Sequence, residues 1–180
     1  MAEQKRRASD RIADPSYLDG LDSKPLQDLR VMREECKEVE RELSFERRLC
    51  QARVDILAAE IERRSSGKDD SLIDRLPQIL ASELGGGDAT SLPERAPDLS
   101  VPRNADIPRR RVEEIVGEQT LARLPSLQVA EIKGIITSVS DHERSVSARR
   151  KAVQDVMDRI QAEIVRRYTS GEADPSAALG

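Results

Sequence analysis

Aromatic side chains are nearly absent from this chain: there is no tryptophan, one phenylalanine (Phe45) and two tyrosines (Tyr17 and Tyr168) in 180 residues. So few rings leave little to fill a thick globular core. They also remove the stacking platforms on which proteins hold single-stranded nucleic acid, so no direct nucleic-acid contact is expected. Long apolar runs are missing as well. None approaches the roughly 20 residues needed to cross a bilayer, so no membrane association is expected. Met1 to Asp14 is charged and has no apolar h-region, so it does not read as a signal peptide, and the expected location is cytoplasmic. The two cysteines, Cys36 and Cys50, lie 14 residues apart in one predicted helix. At about 1.5 Å rise per residue their backbones are roughly 21 Å apart, too far for a disulfide. They read as small apolar residues in a reducing cytosol. The one histidine, His142, has no cysteine or histidine neighbours at metal-ligand spacing, so no metal is expected.

What the chain has in abundance is charge: 36% of residues are Asp, Glu, Lys or Arg, with a net charge of −4. This composition suits long helices that bury one narrow stripe, and its acidic balance suits a basic partner protein. Two such stripes are present. Leu29, Met32, Cys36, Val39, Leu43, Cys50, Val54, Leu57 and Ile61 alternate at spacings of three and four, the periodicity of a coiled coil. A second seam, Ile132, Ile135, Val139, His142, Val146, Val153, Met157, Ile160 and Ile164, reproduces the first member by member after a shift of 103 residues.

The chain therefore divides into a flexible lead-in (1–22), a coiled-coil helix (23–66), a linker (67–126), a second coiled-coil helix (127–170) and a flexible tail (171–180). Asp22 or Ser23 is placed to cap the first helix, with Pro25 in its first turn. The linker holds six of the nine prolines and the Gly85-Gly86-Gly87 run, with room for short helices at about 71–83 and 109–123. The expected fold is all-α: two long helices forming an antiparallel coiled-coil hairpin, with short accessory helices in the N-terminus and linker. A linker of this length could also span a parallel pair. Antiparallel pairing is preferred because it would relate the two duplicated helices by a pseudo-twofold axis. Each seam must be covered, by the other helix of the same chain or in a domain-swapped dimer.

The repeat also carries polar residues. E-x3-S-x2-R-x3-Q-x3-D occurs as Glu40, Ser44, Arg47, Gln51 and Asp55, and again as Glu143, Ser147, Arg150, Gln154 and Asp158. Residues 40–64 and 143–167 are identical at 11 of 25 positions, including an A-E-I-x-R-R tail at 59–64 and 162–167. At about 100° per residue, Ser44, Arg47, Gln51 and Asp55 fall near 40°, −20°, 20° and 60° from Glu40, one strip bordering the seam. Flanking charges that tune helix pairing would account for Glu and Arg but not for the matching Ser and Gln. A gripped polar ligand accounts for all five. Carboxylates accept from the N1–H and N2 amino donors of guanine, and an arginine fork matches its O6 and N7 acceptors. Ser and Gln reach sugar or phosphate oxygens. Arg41 and Arg48, repeated as Arg144 and Lys151, border the strip and could meet phosphates.

With both motifs matching at all five positions, the long helices resemble the RsiG family of actinobacterial anti-sigma factors, which bind the second messenger cyclic di-GMP. The resemblance covers about half the chain. It implies an antiparallel hairpin that holds two cyclic di-GMP molecules on the ten motif residues. The liganded hairpin would then sequester a sigma factor of the WhiG type and silence a sporulation regulon. The residues themselves argue against an enzyme. Ser44 and Ser147 have no base at helical spacing to activate them, and each motif's Glu and Asp are about 22 Å apart, beyond shared acid–base work. The alternative in a different class is a structural coiled-coil adaptor with no small-molecule ligand.

Overall fold

The computed structural model describes residues 8–66 and 111–172; the short helix expected at 71–83, most of the linker and most of the tail lie outside them. All regular elements among the described residues are helical. In order they are α1 (Ala8–Ile12), a 3-10 turn (Pro15–Leu18), α2 (Leu26–Ser66), α3 (Arg111–Ile115), α4 (Glu118–Ala122), a 3-10 turn (Leu124–Ser126) and α5 (Val129–Thr169). α2 and α5, each of 41 residues, pack against each other, and α1, α3 and α4 are the accessory helices. The described residues contain no helix long and apolar enough to cross a membrane.

The duplication extends beyond the long helices. α1 and α3 start 103 residues apart, as do the Pro15–Leu18 turn and α4, and α2 and α5. Each copy is thus a short helix, a tight turn and a long helix. The end of the linker is the structural counterpart of the stretch read as a lead-in. Sequence signals for this are sparse but present: Ile12, Leu18, Leu21 and Ser23 recur as Ile115, Leu121, Leu124 and Ser126.

The described chain forms two compact units. Among the described residues, the first comprises 8–43 with 148–172, the second 44–66 with 111–147. In the first unit Leu29, Cys36, Val39 and Leu43 of α2 are buried, as are Val153, Ile160 and Ile164 of α5. Ile12 of α1 is fully buried. Tyr17 Oη donates to Glu35 Oε2 at 2.8 Å, and Arg11 pairs with the same carboxylate, tying the leading segment to α2. Arg30 bonds Tyr168, Arg33 bonds Gln161, and Glu40 bonds Gln154, so ascending α2 means descending α5. The helices in this unit are antiparallel.

The second unit is also antiparallel, with Glu46 against His142 and Arg64 against Leu127. Its core gathers Cys50 and Leu57 of α2, Val112 of α3, Val116, Leu124, and Ile132 and Val139 of α5. Burying each such side chain contributes about 1.5–3 kcal/mol for the larger ones. The seam read from sequence is therefore the core: its buried members come from the three-four spacing, while Met32, Val54, Ile61, Ile135 and Met157 lie at its half-buried edge.

Helix ends refine the expected caps. Ser23 Oγ donates to Gly20 O at 2.9 Å instead of capping α2, and the first carbonyl of the helix to accept is that of Pro25. Gly20 supplies the left-handed backbone this turn needs, at φ 64°. At the start of α5, Glu131 reaches back to the Gln128 N–H at 2.6 Å, the return bond of a capping box.

The repeated A-E-I-x-R-R tail has a structural role. Arg64 donates to the carbonyls of Leu127 and Leu124 at 2.5 and 2.7 Å, just ahead of α5. Its counterpart Arg167, only 8% exposed, donates to Leu21 O at 2.9 Å and Asp22 O at 3.0 Å, and also to Lys24 O, just ahead of α2. Glu60 steadies Arg63 and Arg64, and Glu163 steadies Arg166 and Arg167. The last turn of each long helix thus clasps the peptide that leads into the other, giving its carbonyls charged donors; Leu124 O also accepts from the Leu127 N–H at 3.2 Å.

Candidate ligand-binding site

Antiparallel pairing cuts each motif between the two units. The first unit holds Glu40 with Arg150, Gln154 and Asp158 of the other copy; the second holds Ser44, Arg47, Gln51 and Asp55 with Glu143 and Ser147. Each polar set is therefore composite, combining the acid of one motif with the arginine, glutamine and aspartate of the other. A reading of one strip per helix does not foresee this, because the wheel of a single helix contains no partner.

In the first unit the composite set is bonded directly. Glu40 Oε1 accepts from Gln154 Nε2 at 2.9 Å and from Arg150 Nη1 at 3.2 Å. The Glu40 side chain is 14% exposed and that of Arg150 29%. The Arg150 Nε–H is buried and makes no hydrogen bond. A buried donor of this kind is what an added acceptor would satisfy. Asp158 is exposed one turn beyond Gln154.

In the second unit the counterpart acid behaves differently. Glu143 Oε1 accepts from Ser147 Oγ, one turn along its own helix, at 2.8 Å. Glu143 also borders an open groove of about 180 Å³, lined by Gln51, Val54 and Asp55 of α2 and Ser140, Glu143 and Arg144 of α5. Ser44, Arg47 and Ser147 are half-buried in this unit. Nearby, His142 Nε2 and Glu46 Oε1 are 2.8 Å apart, with side chains only 10% and 18% exposed. The seam histidine is thus met by a carboxylate from the facing helix. The buried Cys50 thiol lies beneath this region. Its pKa is pushed up to about 12, chiefly by burial and further by the negative charges of Glu46 and Glu143.

The residues proposed from sequence as phosphate contacts sit as a border. Arg144 is exposed and paired with Asp141 at 2.6 Å, and it forms part of the groove wall. Arg41 pairs with the corresponding Glu38 at 3.4 Å. Arg48 is half-buried and Lys151 exposed. Sequence reasoning missed Lys37 and Ser140, equivalent positions one turn before each motif acid. Ser140 lines the groove, whereas Lys37 donates to Glu34 Oε1 at 2.8 Å. At about 60° on the wheel both fall on the motif strip, so a search one turn upstream would have found them. Among the described residues, no group of three or more His, Cys, Asp or Glu side chains is placed to hold a metal ion.

The geometry offers carboxylates beside guanidinium and carboxamide donors at the edge of an apolar seam, with cations outside. That arrangement can bind a flat, polar, anionic molecule through its edges. The RsiG-like family model matches residues 15–80 and 118–179 of the chain, covering both motif-bearing long helices. No curated protein matches it.

Proposed function

The chain belongs to the RsiG-like family, and on that footing we propose that it is an anti-sigma factor that binds two cyclic di-GMP molecules through its twin motifs and then sequesters a sigma factor of the WhiG type. The observation carrying this reading is the composite set of the first unit. An acid from one copy meets the arginine and glutamine of the other in a half-buried position, although the two motifs are 103 residues apart in sequence. Flanking charges of an ordinary coiled coil also pair across the helices, but they need no carboxamide, and here Gln154 joins the pair.

In this reading Arg47 and Arg150 fork onto the O6 and N7 edge of guanine. Glu40, Asp55, Glu143 and Asp158 accept from its N1–H and amino group, and Ser44, Ser147, Gln51 and Gln154 support sugar or phosphate. Arg41, Arg48, Arg144 and Lys151 offset phosphate charge. The bound ligand stiffens the surface that sigma meets, lowering the ordering cost of that encounter. Sigma factors carry basic surfaces for promoter DNA, and an acidic chain competes for them. The regulon silenced is then the sporulation set of such a sigma factor.

Isothermal titration of cyclic di-GMP into the chain, alone and with the sigma factor, tests the proposal. Two ligands per chain, bound more tightly when sigma is present, support it. Sigma capture that is equally strong without cyclic di-GMP overturns the switch. A second reading, a ligand-free coiled-coil adaptor, draws on the same contacts, since Glu40, Arg150 and Gln154 already bond one another. Arg150→Ala and Arg47→Ala separate the two. Loss of partner capture with unchanged helical circular dichroism favours the regulator; loss of helical signal favours the adaptor.

A further inference from the structure

Resting on the cyclic di-GMP reading above, we infer that the two ligand sites are unlike: the groove of the second unit fills first, and the set in the first unit opens only when ligand displaces Glu40 from Arg150 and Gln154. The motif residues are identical in type, so the difference lies in how their side chains are engaged and in what stands beside them.

In the second unit a cavity of about 180 Å³ already lies between Gln51 and Asp55 on one side and Glu143 and Arg144 on the other. Glu143 is held at 2.8 Å by Ser147, on its own helix. A guanine edge can approach that carboxylate without parting any bond between α2 and α5 that Glu143 makes. In the first unit the equivalent carboxylate is occupied by cross-helix donors, at 3.2 Å from Arg150 and 2.9 Å from Gln154. Ligand entering there must exchange two protein hydrogen bonds for its own. The exchange makes this step weaker by on the order of tenfold.

The neighbouring position adds a second difference. One turn before the acid, the second unit has neutral Ser140 in the groove wall and the first unit has Lys37. The Lys37 ammonium is tied to Glu34 at 2.8 Å and stands beside the strip with Arg41. A dianionic ligand that draws Lys37 away from Glu34 gains in the first unit a cation that the second lacks at this position, so its binding there depends more steeply on salt. Lys37 thereby becomes a specificity residue of the later site, and Ser140, by its small size, leaves the earlier site open.

Titration calorimetry of cyclic di-GMP into the full chain at low and at moderate salt tests this, with circular dichroism confirming that each variant keeps its helix content. Two resolved steps are expected, the weaker one losing more affinity with salt. Lys37→Ser should weaken only the weaker step, several-fold, and reduce its salt dependence. Ser140→Phe, which fills the groove, should remove only the tighter step. Two equal steps, or variants that shift both steps alike, overturn the inference while leaving the twin-site reading standing. No binding by the parent chain under any condition overturns both.

Discussion

The same five residue types, at the same spacing on two helices of equal length, make different bonds in the two units. In the first, Glu40 reaches across to Arg150 and Gln154; in the second, Glu143 turns to Ser147 and leaves a groove beside Gln51 and Asp55. The copies also differ in residues beside these acids. Where the first unit has Lys37 and Val39, the second has Ser140 and His142, and His142 draws Glu46 across the seam at 2.8 Å. Elsewhere the copies agree closely, down to the carbonyls that Arg64 and Arg167 clasp. Duplication has kept the frame equivalent and let the sites diverge.

Deep truncation of the seam is the strongest way to break the comparison. Leu57→Ala in the second unit and its counterpart Ile160→Ala in the first each remove a fully buried side chain. Each is expected to lower unfolding free energy by about 2–5 kcal/mol in urea titrations. Leu57 belongs to the cluster that includes Val112, Val116 and Leu124. If the two units open independently, hydrogen exchange in each variant should rise only in the unit that carries the substitution. Faster exchange throughout would show a single cooperative block.

The clasps should respond alike. Arg64→Ala and Arg167→Ala each take charged donors away from partly buried backbone carbonyls and should cost about 1–3 kcal/mol. A difference between them larger than about 1 kcal/mol would mean that the equivalence of the frame fails at the helix ends.

Smaller still is Gly134→Ala. This glycine lies within α5 where its counterpart in α2 is Val31, and a Cβ there meets nothing within 4 Å. Stabilisation by about 0.5–1 kcal/mol is expected from helix propensity alone. Destabilisation would show that helix propensity does not govern this position.

Acid titration sharpens the comparison without changing neutral-pH stability. Bonds from Arg166 first, then Arg167, lower the Glu163 pKa from 4.5 to about 2, and Arg63 lowers that of Glu60 in the same direction. Depressed carboxylates stabilise the fold above the ordinary pKa and lose that contribution as pH falls through the folded value. Stability should therefore decline from about pH 4.5 towards 2. Glu163→Gln should flatten that decline; an unchanged slope would show that the carboxylate is not held by its arginines.

Much of this molecule is written in its local pattern. The three-four spacing of Leu29, Cys36, Val39, Leu43, Cys50 and Leu57 places them on one helix face, and a face that apolar must leave water, so seam, helix lengths and fold class follow from sequence. The repeat of Glu40 to Asp55 as Glu143 to Asp158 likewise marks the residues to inspect. What a single helix cannot encode is its neighbour. That Glu40 meets Arg150 and Gln154, that Arg64 ends on Leu124 and Leu127, and that the residues before α5 mirror those before α2 depend on antiparallel pairing over separations of 60 to 114 residues. Short-range periodicity determines which face is buried. Only packing decides which polar groups are then brought within hydrogen-bond reach, because register and partner are properties of two helices together.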